Sequence, residues 1–491
     1  MTLARRPPLL LAATAIAVLA GCAAVGPDYQ RPPVEVPAQW RSQIDDAADV
    51  ANTSWWEAFG DPELSELVRA ALDGNRDLRA AVFRIDQFNA RLQISNSANK
   101  PQVGYHADGA RKYRSEEQPN ELGITGVPTY NDFTIGLTFA WEIDIWGRIR
   151  RSNEAALADL LSAEAAQRGV MLTTVCAVAT AYVQLLGLDR ELAVTRLVVN
   201  NRQRTYDVLK AKQEGGSATQ VAVEEARAAI EEAASTIPDI ERRIASTEFA
   251  LSTLVGRNPG PIKRRTMDQL TLLKVPEGVP SDLLVRRPDV FAAEQNLTAA
   301  NARIGVAKAE YLPTVSLTGA LGLQSDQLQW LFAKTARTGE FWRGLTGTLF
   351  SGGRVEGTVR EAEAVRNQMA ERYLLSVQTG LQEVEDSLVA RAKAGEQGQI
   401  RGRQVGALQE ATRLTQLRYE SGQSTLLDVL EAQRQVFVAQ AQQAQSQRDQ
   451  FLALVAVYKA MGGGWMVEQN RLRETRAAAA AAAASAPPAN N

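Results

Sequence analysis

Between Phe133 and Trp146 apolar and polar residues alternate almost without interruption. Phe133, Ile135, Leu137, Phe139, Trp141, Ile143 and Ile145 fall on one side, and Thr134, Gly136, Thr138, Ala140, Glu142 and Asp144 on the other. A period of two over this length predicts a strand with one greasy and one wet face. A transmembrane barrel strand of about 10 residues has this pattern, although a strand of a water-soluble sandwich shares it. Three further segments repeat it less cleanly. Val315, Leu317, Leu321 and Leu323 alternate with Thr314, Ser316, Thr318 and Gly322 after Pro313 has ended a helix. Val103, Tyr105, Ala107 and Gly109 alternate with Gln102, Gly104, His106 and Asp108, and Phe341 to Phe350 is a strand whose apolar face Arg343 interrupts.

The strands are separated by helical stretches, and the whole order occurs twice. Asp77-Leu78-Arg79-Ala80-Ala81 matches Asp289-Val290-Phe291-Ala292-Ala293, Asn89-Ala90-Arg91-Leu92 matches Asn301-Ala302-Arg303-Ile304, and Pro101 matches Pro313, all at an offset of 212. Beyond a hairpin of variable length the offset becomes 206: Gly147-Arg148 with Gly353-Arg354, Gly216 with Gly422, Thr219 with Thr425, Gly256 with Gly462. Two constant offsets mark a tandem duplication of one unit, in the order helix, strand, loop, strand, long helix, turn, long helix. The segments Arg148 to Glu214 and Arg354 to Glu420 are of equal length, and as helices each would reach roughly 100 Å. Glycines in Glu214-Gly215-Gly216-Ser217 and Glu420-Ser421-Gly422-Gln423 suit a left-handed helix cap before the chain reverses.

Four strands cannot close a membrane barrel, for which about 8 is the smallest number, and open edges in lipid would leave backbone groups unpaired. If the strands span a membrane, several copies must do so together. Export is expected from the N-terminus. Arg5 and Arg6 precede the apolar run Leu9 to Ala20, and Leu19-Ala20-Gly21-Cys22 is similar to a bacterial lipobox with Cys22 as the lipidated residue. No aspartate follows Cys22, which fits sorting to the outer membrane. Beyond this signal no apolar run is expected to approach the roughly 20 residues of a transmembrane helix.

Composition removes alternatives. A net charge of −2 gives no reason to expect a nucleic-acid partner. One histidine, His106, and two cysteines, Cys22 and Cys176, leave little for metal or nucleophilic chemistry, so no enzyme, cofactor or metal site is expected. Cys176 reads as a packed small apolar residue in a long helix. Glu142 and Asp144 could be a catalytic carboxylate pair but read more simply as polar residues of a wet barrel wall. Ala477 to Asn491 is an alanine-rich, disordered tail.

Several motifs are similar to one known family. They are Ala24-Val25-Gly26-Pro27-Asp28-Tyr29 with Arg31-Pro32, Trp55-Trp56-Glu57-Ala58-Phe59-Gly60-Asp61-Pro62, Trp141 to Arg148, Arg286-Arg287-Pro288-Asp289, Leu349-Phe350-Ser351-Gly352-Gly353-Arg354, and Arg418-Tyr419 through Gly422 to Gln433. Together the chain resembles the OprM/NodT branch of the TolC-like outer-membrane factors over nearly its whole length. The resemblance implies an α+β membrane protein: a trimeric 12-stranded transmembrane β-barrel with four strands per chain, continued by a long periplasmic α-helical barrel, each chain holding two tandem structural repeats. On that frame residues 1–21 are a lipoprotein signal peptide and 22–61 an N-terminal extended linker. Repeat 1 is 62–255, with a strand hairpin at 102–146 and long helices at 148–255; 256–288 is an equatorial connection. Repeat 2 is 289–462, with a hairpin at 313–350 and long helices at 354–462, and 463–491 is the C-terminal segment.

The implied function is the exit duct of a tripartite efflux system, lipid-anchored in the outer membrane and extending into the periplasm. Its implied partners are two further copies, a periplasmic membrane-fusion adaptor, an RND-type inner-membrane pump and outer-membrane lipid. The family's entrance constriction maps onto Tyr419, Asp428 and Glu431. The adaptor-contacting tips map onto Gly215, Gly216, Ser217, Gly422, Gln423 and Ser424. Asp428 has a second reading, because Thr425-Leu426-Leu427-Asp428 resembles a helix capping box. Some relatives carry arginine where this chain has Ser424, which puts a salt-bridge latch there in doubt. Two other readings of the whole chain are a dedicated exporter of one cargo, a metal ion or an oligosaccharide, and a periplasmic scaffold lipoprotein without a pore.

Overall fold

A computed structural model describes residues 24–37, 39–40, 47–48, 54–113, 115, 129–272, 275–276 and 286–463. Its main elements are α1 (Pro62–Gly74), α2 (Arg76–Ser97), β1 (Gln102–Tyr113), β2 (Thr129–Ile143), α3 (Arg148–Glu214), α4 (Gln220–Ala234), α5 (Ile237–Leu254), α6 (Pro288–Ala309), β3 (Thr314–Ser325), β4 (Arg337–Thr346), α7 (Arg354–Glu420) and α8 (Leu426–Ala460). The duplication is written into these bounds. Helices α2 and α6 have 22 residues each, β1 and β3 have 12 each, and α3 and α7 have 67 each. Each pair starts and ends at the offset read from the sequence. The described residues divide into two compact units, one drawn from 24–33, 84–163 and 292–373, the other from 34–83, 164–291 and 374–463.

The first unit carries the sheet, four antiparallel strands in the order β1-β2-β3-β4. Register decides what the alternation accomplishes. Leu137 sits between Tyr105 and Leu321, Phe139 between Val103 and Gly319, and Leu321 opposite Gly339 of β4. The apolar positions of β1, β2 and β3 therefore fall on the same side as Phe341 and Leu345 of β4, as pairing without a one-residue slip requires, while Arg343 interrupts that face opposite Leu317 and Trp342 lies on the other face opposite Thr318. Leu137, Leu321 and Phe341 lie exposed on the apolar face. On the other face Thr138 sits between Gly104 and Ala320, and Gly136 between His106 and Gly322. The imidazole of His106 occupies the space over Gly136, where a Cβ would come within 2.9 Å of it. The indole of Trp146 joins the two repeats below the sheet by donating to the Pro313 carbonyl at 2.7 Å.

The predicted hairpin ends are corrected. Strand β2 stops at Ile143 rather than Trp146, because the Asp144 carboxylate accepts the backbone N–H groups of Ile149 (3.0 Å) and Arg150 (2.9 Å) and so caps α3. Strand β4 stops at Thr346 rather than Phe350, where Gly347 runs against Pro313.

The second unit holds the main core. Trp55 stacks on Tyr458 with ring centroids 5.0 Å apart and meets Trp56 and Phe59 edge-on. These three residues fall in a stretch expected to be linker and are instead among the most buried in the chain. Asp61 caps α1 by accepting from Glu63 N–H at 2.9 Å and is held by the Tyr182 hydroxyl at 2.6 Å. The middle of α3 also departs from expectation, since it contains a stretch apolar and long enough to cross a membrane. Burial accounts for it: Val175, Val178, Ala179, Tyr182, Val183 and Leu185 are all fully enclosed in this core. Arg287 ties three elements together. It pairs with Asp289 and Glu383, both at 2.7 Å, and donates to the Ala460 carbonyl at 2.8 Å where α8 ends.

The return helices of the two repeats differ. In repeat 2, α8 is one helix of 35 residues. In repeat 1 the corresponding stretch breaks at Ser235–Thr236 into α4 and α5, which corrects the expectation of one long helix. Pro238 explains the break: it has no N–H to bond the carbonyl four residues back, and its ring clashes with that turn. The matching residue of repeat 2 is Ala444.

Candidate functional site

The long helices reverse at two turns with the same backbone. Gly216 and Gly422 both take φ +77°. At the first turn Ser217 N–H bonds the Lys212 carbonyl at 2.8 Å and Gly216 N–H the Gln213 carbonyl at 2.9 Å; at the second Gln423 bonds Arg418 at 2.8 Å and Gly422 bonds Tyr419 at 3.0 Å. These are paired helix-ending bonds around a left-handed glycine. Gly215, Gly216, Ser217, Gly422 and Gln423 are exposed at the turns, and Ser424 is half-buried. Below the turns Leu209, Val223 and Ala226 form a small buried cluster with Tyr206 and Leu426 packed on it. Leu426 belongs to the second hairpin, so this cluster fastens the two hairpins to each other.

The helix starts after the turns are not the same. Thr219 caps α4 by accepting from Ala222 N–H at 3.2 Å. Thr425 caps α8 by accepting from Asp428 N–H at 3.3 Å, and Asp428 returns the bond by accepting from Thr425 N–H at 2.8 Å. The hydroxyls of Thr425 and Ser424 also donate to Asp428, at 2.8 and 3.2 Å. These bonds, the Thr425 hydroxyl first, hold the Asp428 carboxyl below its ordinary value. Asp428 therefore is a capping residue, and it is also exposed and ionised.

Glu431 sits one turn further on and is engaged differently. Arg434 donates to both of its oxygens at 2.8 Å and Gln435 to one at 3.0 Å, which lowers its carboxyl to about 2. Its charge is balanced on its own helix, while that of Asp428 is solvated by hydroxyls. Tyr419 is half-buried, and the Lys212 ammonium lies 5.8 Å from its ring centroid. No local pattern announces this cation–π contact, since the two residues come from different repeats.

Glu142 and Asp144 are separated by their partners. Glu142 is the penultimate residue of β2 and forms a two-pronged pair with Arg148 at 2.9 and 2.7 Å, while Asp144 lies beyond the strand as the α3 cap. Cys176 is buried, and burial pushes its thiol up to about 12. Cys22 and residues 464–491 lie outside the described residues.

A four-stranded sheet with one largely apolar face, in a chain whose matched long helices reverse at paired turns, fits the architecture of a membrane channel subunit. The chain belongs to the outer membrane efflux protein family, whose defining pattern matches residues 67–257 and 279–463. It is 34% identical over 465 residues to the toluene efflux pump outer membrane protein TtgC of Pseudomonas putida, covering 93% of this chain and 95% of that one. It is 33% identical over 437 residues to the pyoverdine export outer membrane protein OpmQ, also of Pseudomonas putida, covering 88% and 93%. Its fold matches the open state of the MtrE outer membrane channel of Neisseria gonorrhoeae with a TM-score of 0.81 at 28% identity, covering 90% of this chain and 99% of that one. The chain is an outer-membrane efflux channel component.

Proposed function

We propose that three copies assemble into one channel, four strands from each closing a 12-stranded barrel. The observation that carries this reading is the register: it gathers the apolar positions on one face of a sheet whose edges, β1 and β4, have no ladder partner among the described residues. Lipid requires both a greasy outer face and closed edges, and one chain supplies only the first. The wet face, with Glu142 at its foot, then lines a water-filled lumen. The long helices continue that lumen into the periplasm.

In this assembly Cys22 carries the acyl anchor, and the two turns meet a periplasmic adaptor that joins the duct to an RND-type inner-membrane pump. Cargo passes without chemical change. TtgC serves toluene efflux and OpmQ pyoverdine export, which supports small organic molecules as cargo. Asp428 forms the charged ring at the entrance. Tyr419 narrows it, and Glu431 contributes less because Arg434 neutralises it. The test is conductance of the purified protein in planar bilayers together with its mass in detergent. Discrete cation-selective channels from a three-chain particle are expected; a monomer that leaves the bilayer silent would refute the reading.

A further inference from the structure

The segment from Ala24 to Arg31 has little regular structure, yet it is seated with the precision of a bound ligand. Val25 N–H bonds the Trp146 carbonyl at 2.9 Å, just below β2. Gly26, at φ +101°, lies backbone to backbone on α6: a Cβ there would fall 2.4 Å from the Gly305 Cα, and one on Gly305 would fall 2.5 Å from the Val25 carbonyl oxygen. Only paired glycines allow that approach. The Arg151 guanidinium, 8% exposed, donates to the carbonyls of Val25 and Gly26 and pairs with Asp28 at 2.7 Å. Asn301 donates to the Pro27 carbonyl at 2.8 Å. Glu294, 6% exposed, takes both prongs of Arg31 at 2.6 Å and the Tyr29 hydroxyl at 3.2 Å.

We propose that α6, the start of α3 and the β2–α3 turn form a peptide-binding slot, whose ligand is an extended segment carrying an acidic residue and, three positions later, a basic one. Two buried charges of opposite sign, Arg151 and Glu294, fix the direction and register of that ligand. A buried carboxylate left unpaired is costly, so the slot favours occupancy. Its occupant in this chain begins two residues after Cys22, a stretch that spans at most about 7 Å. On the reading of Cys22 as the anchor, the slot therefore holds the acyl chain at the foot of β2, so that anchor and sheet enter the membrane at one level.

The test uses the full chain with Cys22→Ser, so that no lipid contributes, and a protease site inserted after Pro33. After cleavage of the folded protein, the freed N-terminal fragment should stay bound through gel filtration. Glu294→Gln or Arg31→Ala should release it about tenfold faster or more, the scale of a lost charge-assisted pair, while Arg31→Lys should restore part of the retention. If Glu294→Gln fails to fold, Tyr29→Phe and Asp28→Asn, at the accessible rim, give graded losses. Release from the parent protein as fast as from Arg31→Ala would overturn the slot. Absence of acylation on the unaltered Cys22 protein would sink the anchor reading alone and leave the slot standing.

Discussion

The two turns that end the long helices have one backbone and two chemistries. Both close around a glycine at φ +77° with the same pair of bonds, and both are followed by a threonine cap. Repeat 2 then adds Asp428 where repeat 1 has Ala222, Tyr419 where repeat 1 has Gln213, and an unbroken return helix where repeat 1 has the Pro238 break. Duplication kept what the chain reversal needs. The side chains around the reversal differ, and an aspartate and a tyrosine stand at these positions in repeat 2 alone.

The largest expected effect comes from moving the proline. Ala444→Pro should break α8 as Pro238 breaks the return path of repeat 1, costing about 3 kcal/mol or more because Ala444 is buried. Thermal unfolding followed by circular dichroism checks it; an unchanged midpoint would mean that the break in repeat 1 has another cause. Next comes the acidic residue. Asp428→Ala should raise single-channel conductance several-fold and weaken cation selectivity, and adding Ala222→Asp should restore selectivity only if the two turns are interchangeable. Unchanged conductance in Asp428→Ala would leave Asp428 as a cap and nothing more.

The contact between the repeats should matter less. Lys212→Met removes the cation from the Tyr419 ring and should shift the balance toward open channels about two- to five-fold, the weight of an exposed cation–π pair. Tyr419→Phe keeps the ring and should leave that balance unchanged, so open probability separates the ring's role from the hydroxyl's. The smallest effect is expected from pH. Arg434 holds the Glu431 carboxyl at about 2, below its ordinary value, so the ionised pair contributes above the ordinary range and is lost only as pH falls through about 2. Selectivity measured from pH 7 down to about 4 should therefore show no step from Glu431. A step near the ordinary glutamate value that disappears in Glu431→Gln would contradict the pairing.

Much of this architecture is legible in the chain because it is encoded locally or repeated. Period-two alternation gave the face of each strand, and constant offsets gave the ends of α3 and α7 to the residue. The left-handed glycines followed from the same alignment. Other features were written in plain signals that a repeat-based reading passes over. Pro238 inside a helical pattern predicts a break, and Asp144 four residues before Arg148 is a helix start. What was not legible depends on distance. Trp55 stacks on Tyr458, Arg31 pairs with Glu294 and Lys212 meets Tyr419, contacts made across the fold that no neighbouring residue announces. Asp428 and Glu431 stand between these cases: Thr425-Leu426-Leu427-Asp428 already reads as a capping box in the sequence, and the geometry adds the hydroxyls of Thr425 and Ser424 that hold the carboxylate and the Arg434 pair that neutralises Glu431 on its own helix.

The matched turns have a consequence for counting. In the proposed three-chain assembly, two turns per chain offer six seats of one backbone shape but only three of each chemistry. A partner that grips the glycine-ended reversal itself could fill all six, whereas one that reads Asp428 or Tyr419 could fill three. The number of partner chains bound at saturation therefore measures which of the two languages, shape or charge, the docking uses.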